Sequence, residues 1–112
     1  MSDEQDSQWP EPNDGERADV NLGDGHTLTW SKYQGEIVGG IIRHTIPKTE
    51  QNPNGYCDGA FWLRGNAFSA SHRPDSPRWD MTGTYEKPTL SPSFLCHCGD
   101  HGFVRDGAWQ RA

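Results

Sequence analysis

No stretch of this chain repeats its apolar residues at the spacing a helix requires, and that constrains the fold more than any other feature. Apolar residues alternate with polar ones over short runs, and glycine and proline interrupt the runs. In HTLTWSKY (26–33), alternation places His26, Leu28 and Trp30 on one face, with Thr27, Thr29 and Ser31 on the other. QGE (34–36) turns the chain, and IVGGIIRHTI (37–46) reads as the returning strand. Its Gly39-Gly40 pair predicts a bulge or a close backbone approach. PKTEQNPNGYCDG (47–59) is a loop by composition, and AFWLRG (60–65) is a short aromatic strand. NAFSASHRPDSP (66–77) fits either a short strand or one helical turn, followed by a surface loop. RWDMTGTYE (78–86) is a further strand. In KPTLSPSFLCHC (87–98), Pro88 and Pro92 forbid helix and predict an edge or irregular strand. HGFVRDGAWQ (101–110) is a hairpin about Asp106-Gly107. The class is all-β, a small barrel or two-layer sandwich of about six to eight short antiparallel strands.

Charge divides the chain. Of its 16 acidic residues, eight lie in residues 1–24, against the single base Arg17. The remainder holds eight acids and nine bases, so the net charge of −6 belongs to the N-terminal segment. Residues 1–24 therefore read as a disordered acidic tail and residues 25–112 as a single β domain. The domain shows no basic stripe, which disfavours nucleic acid as a partner. No apolar run approaches the roughly 20 residues of a membrane span. The acidic start lacks the apolar core of a secretion signal, so a cytoplasmic location is expected. Three cysteines, an odd number, argue against a disulfide framework in such a compartment. Trp30, Trp62, Trp79, Phe94, Phe103 and Trp109 are assigned to the core; His44, His72 and the scattered Arg64, Arg73 and Arg78 are assigned to the surface.

Chemistry concentrates in TLSPSFLCHCGDHGFVRDG (89–107). Zinc needs soft sulfur or imidazole donors that converge tetrahedrally. Cys96, Cys98 and His101 supply such donors, and Cys57 in a glycine-rich loop closes a Cys3His set. A zinc staple suits a chain too short for a large core. Buried thiols without metal, or a reactive thiol, are competing readings of the same residues. Ser91 and Ser93 form a second candidate site with His101 as base, and Asp80, Asp100 and Asp106 are available to orient the histidine. The two sites compete for His101, because an imidazole that ligates zinc cannot readily accept a serine proton. If His97 were the ligand instead, both sites could coexist.

The elements Thr89-Leu90-Ser91-Pro92-Ser93 and His101-Gly102-Phe103-Val104-Arg105-Asp106-Gly107 resemble a small bacterial and phage family, frequent in actinobacteria. Some of its relatives accompany ubiquitin-like conjugation genes. The resemblance implies a serine element at Ser91 and Ser93, a histidine at His101, and peptidase action on a modifier. Three functions follow as expectations. The first is a zinc-stapled accessory domain that binds a protein partner. The second is a serine-type hydrolase that cuts a peptide or ubiquitin-like tail. The third is a metal-free interaction module.

Overall fold

The computed structural model describes residues 19–112. Eight strands run in chain order: β1 (Asp19–Gly23), β2 (His26–Tyr33), β3 (Glu36–Thr45), β4 (Tyr56–Trp62), β5 (Asp80–Gly83), β6 (Pro88–Leu95), β7 (His101–Arg105) and β8 (Ala108–Arg111). They form two antiparallel four-stranded sheets, β1-β2-β3-β4 and β5-β6-β7-β8, each a simple meander. Leu28, Trp30, Ile42 and Phe61 of the first sheet share one core with Leu90, Val104 and Trp109 of the second. The all-β expectation resolves to the sandwich. Burying each large apolar side chain here stabilises by about 1.5–3 kcal/mol.

The predicted tail extends too far. Residues 19–23 form β1, because Val20 and Leu22 alternate inward and are buried while their neighbours face solvent. Asp19 accepts a hydrogen bond from the Thr29 hydroxyl at 2.7 Å. The expectation of disorder for residues 1–18 lies outside the described residues.

The β2 alternation is as predicted, with His26, Leu28 and Trp30 all buried. The paired glycines serve both predicted ends. The β2–β3 register shifts between Ser31 and Lys32, opposite Gly39 and Ile37. A Cβ on Gly39 would stand 2.1 Å from the Phe61 carbonyl oxygen, so only glycine fits. The ambiguous segment becomes α1 (Ala67–His72), capped by Asn66, whose Oδ1 accepts from the Ser69 amide at 2.7 Å. No helix among the described residues is long and apolar enough to cross a membrane.

Three surface or core assignments away from the site change. Phe61 and Leu63 point inward in AFWL, so Trp62 faces out, with the Arg73 guanidinium 5.1 Å from its ring. Gly102 and Val104 point inward on β7, which turns Phe103 to the other face. Arg78 donates to the carbonyls of Ser69 and Ser76 at 2.6 and 2.7 Å, and so ties the end of α1 to the following loop.

Candidate functional site

The β6–β7 hairpin builds the site, and its irregularity begins with Pro92. Leu90 pairs with Val104 and Phe94 with Gly102. Four steps along β6 therefore answer two along β7, so β6 carries two extra residues between these pairs. Proline has no N–H for the ladder, and the disruption falls on Ser91-Pro92-Ser93. Although irregular as expected, β6 is an inner strand and not an edge. Beyond the bulge, Leu95 pairs with His101. His101 Nε2 then lies 3.0 Å from Ser93 Oγ. Ser91 is exposed and sits opposite Asp80 in the β5–β6 register. Of the two candidate serines, it is Ser93 that hydrogen-bonds the histidine.

No carboxylate orients this histidine among the described residues. Asp80 pairs with Arg64 at 2.8 Å. Asp106 occupies the β7–β8 turn, where its amide donates to Thr89. Asp100 accepts from His26 Nε2 at 2.7 Å. The second His26 nitrogen meets the Asp24 carbonyl at 2.7 Å, and its ring stacks on Trp109 at 4.0 Å. Asp100 therefore fastens the β6–β7 turn to β2.

The same turn carries Cys96 and Cys98. The sequence reading carried the strand through both cysteines, but β6 ends at Leu95 and they lie in the turn beyond it. The Gly99 amide donates to the Cys96 carbonyl, and the Cys96 amide to the Asp100 carbonyl, both at 2.8 Å. This tight loop turns both sulfurs toward the first sheet. Cys57 Sγ lies 3.2 Å from Cys96 Sγ, and His44 Nε2 lies 3.4 Å from Cys98 Sγ. His44 and Cys57 are directly paired across β3 and β4. One donor atom from each of His44, Cys57, Cys96 and Cys98 lies within 4.8 Å of all the others.

The expected set therefore changes by one residue. Cys57, Cys96 and Cys98 converge, but His44 stands where His101 was expected. His44 follows Ile42 in the inward phase of β3 and is buried, whereas the sequence reading placed it at the surface. The phase of Ile42 was the available signal. His101 starts β7 on the far side of the turn and engages Ser93. The exposed His97 reaches the rim of the cluster, with Nε2 3.4 Å from Cys57 Sγ. His72 stacks on Phe68 of α1, remote in contact from the cluster.

The donors fit a tetrahedral metal. Zinc with sulfur at about 2.3 Å and nitrogen at about 2.0 Å separates its ligands by roughly 3.5–3.8 Å. The Cys57–Cys96 and Cys98–His44 spacings of 3.2 and 3.4 Å fall about 0.1–0.6 Å short of this, and all four donors lie within 4.8 Å of one another. Proton energetics point the same way. A hydrogen bond to Cys96, reinforced by burial, pushes the Cys57 thiol up to about 12. Burial opposes ionisation of Cys96. Hydrogen bonds from the Cys98 backbone and from the side chains of His44, Cys57 and Cys98 outweigh it, and Cys96 falls to about 6. Cys96 is thus drawn toward the thiolate and Cys57 is held away from it. A divalent cation at the centre would favour the deprotonated form of the sulfurs that bind it.

A groove of about 350 Å³ opens beside both groups. Trp79, Phe94, Leu95 and Ile42 give it apolar walls, and Gly59 and Ala60 leave it wide. Ser93 is part of its wall, and His44, Cys96 and Asp100 border it too.

Residues 64–112 match the model of a family described as the bacterial ubiquitination-like system serine protease BubE. The match agrees with the resemblance carried by the serine and histidine elements. It spans α1 and the whole second sheet, with Ser93, Cys96, Cys98 and His101, and stops short of His44 and Cys57. No curated protein and no solved structure matches the chain.

Proposed function

We propose that the chain is a serine-type hydrolase of a bacterial ubiquitin-like modification system, with Ser93 as nucleophile, His101 as base and a structural zinc clamping the site. The 3.0 Å contact between Ser93 Oγ and His101 Nε2 carries this reading. It is within the reach that proton transfer requires. The family match over this same hairpin supports the reaction class.

In the first step His101 Nε2 accepts the Ser93 hydroxyl proton while Oγ attacks the scissile carbonyl carbon. The tetrahedral adduct collapses as His101 returns that proton to the leaving amine. An acyl ester on Ser93 remains, and water, deprotonated by His101, hydrolyses it to the free acid. Strand register sets the imidazole beside Ser93, and its ring lies tilted 6.3 Å from that of Phe103 between centroids.

His44, Cys57, Cys96 and Cys98 would hold the zinc. Three thiolates and an imidazole would fill a tetrahedral shell, so the ion would supply structure and offer no open coordination position. Its effect on the reaction would be mechanical. Cys96 and Cys98 stand between Ser93 and His101 in the chain, so fixing them to β3 and β4 fixes the hairpin whose two arms carry the pair. The protein partner is then the substrate, an extended tail of a ubiquitin-like protein. The reducing cytoplasm keeps the thiols available for metal.

The test is labelling of metal-replete protein with a fluorophosphonate probe and mass mapping of the adduct. Modification at Ser93, lost in Ser93→Ala and His101→Ala, is expected. Folded, metal-replete protein that takes no label at Ser93 would overturn the hydrolase reading and leave a metal-clamped binding module.

A further inference from the structure

We infer that the groove beside Ser93 is a specificity pocket for a large apolar side chain on the residue that supplies the scissile carbonyl. This rests on the hydrolase reading above. Ser93 belongs to the groove wall, whereas His101 does not. The leaving group must sit against His101, which protonates it. The acyl part bonded to Ser93 Oγ therefore extends toward the groove. Trp79 and Phe94 stack in parallel there, with centroids 5.0 Å apart, and present a flat apolar wall. Leu95 continues that wall into solvent and is 71% exposed, a large apolar side chain with little covering it. On the facing side Gly59 and Ala60 supply almost no bulk. A Cβ built on Gly59 meets nothing within 4 Å, so the width of the groove at this point depends on the missing side chain.

An aliphatic or aromatic side chain is the chemistry that matches these walls.

Esters of N-acetyl amino acids with p-nitrophenol test this directly. Oγ displaces p-nitrophenolate, the Ser93 acyl ester forms, and water releases the acetyl amino acid. Wild-type protein should turn over the leucine and phenylalanine esters at least about tenfold faster, in kcat/KM, than the glycine ester. Gly59→Leu puts bulk where a Cβ meets nothing within 4 Å. It should remove that preference by slowing the leucine and phenylalanine esters at least about tenfold, and Leu95→Ser should reduce the preference partly. Ser93-dependent turnover with no side-chain preference, or a preference that survives Gly59→Leu, would overturn the pocket and leave the hydrolase intact. No Ser93-dependent turnover of any ester, with no fluorophosphonate adduct, would overturn both.

Discussion

The serine–histidine pair and the cysteine–histidine cluster lie side by side, yet they are assembled in opposite ways. Ser93 and His101 are eight residues apart and meet through the register of one hairpin. The cluster joins residues up to 54 apart, two from the first sheet and two from the β6–β7 turn of the second, and exists only because the sheets dock. A local pair can be altered without cost to the fold. A long-range cluster cannot, because it is one of the ties that make the fold.

The sharpest way to break the comparison is to remove the metal. Apparent binding energies of about 10–16 kcal/mol for structural zinc exceed or match the whole stability of a small domain, about 5–15 kcal/mol. Chelation, or Cys57→Ser, should therefore abolish cooperative thermal unfolding followed by circular dichroism. A melting curve indifferent to chelator would show that the cores hold the sheets together unaided. Next in size is Ser93→Ala. Turnover of the leucine ester should fall by about a thousandfold or more. Its unfolding free energy in urea should change by no more than about 0.5 kcal/mol, because the side chain is only partly buried.

Pro92→Ala sharpens the local half of the comparison. Restoring an N–H invites β6 back into regular pairing, and Ser93 should lose its aim at His101. A misplacement of about 1 Å costs roughly a hundredfold in rate, while metal content should stay at one per chain. Unchanged kcat would mean that the bulge survives without proline. Gly39→Ala probes the first sheet alone. Overpacking against the Phe61 carbonyl should cost about 1–3 kcal/mol in urea unfolding. An unaltered midpoint would mean that β3 and β4 approach less closely at that point.

This division also explains what the sequence revealed. Alternation in HTLTWSKY, the Gly39-Gly40 pair and the Asp106-Gly107 turn are local signals, and each forecasts its own element. Asp106 and Gly107 both take positive φ, 52° and 76°, as a two-residue hairpin turn demands. Pro92 likewise announced an irregular strand. The cluster was legible only in part. Cysteines are rare enough to be noticed, so Cys57, Cys96 and Cys98 stood out as a set. His44 did not, because the phase it shares with Ile42 says that it points inward but not that a distant turn brings cysteines to meet it. Its inward phase, shared with Ile42, and its pairing with Cys57 acquire meaning only once the second sheet is in place. Asp100 was misread for the same reason: beside His101 in the chain, it is bound to His26 across the sandwich.

The central claim is that His44 completes the cluster and so leaves His101 to Ser93. Elemental analysis of His44→Ala and His101→Ala, both purified without a histidine tag, tests it most directly. One zinc per chain is expected to be retained in His101→Ala and lost in His44→Ala. Zinc lost with His101 and retained without His44 would contradict it, and would place His101 on the metal instead of on the serine.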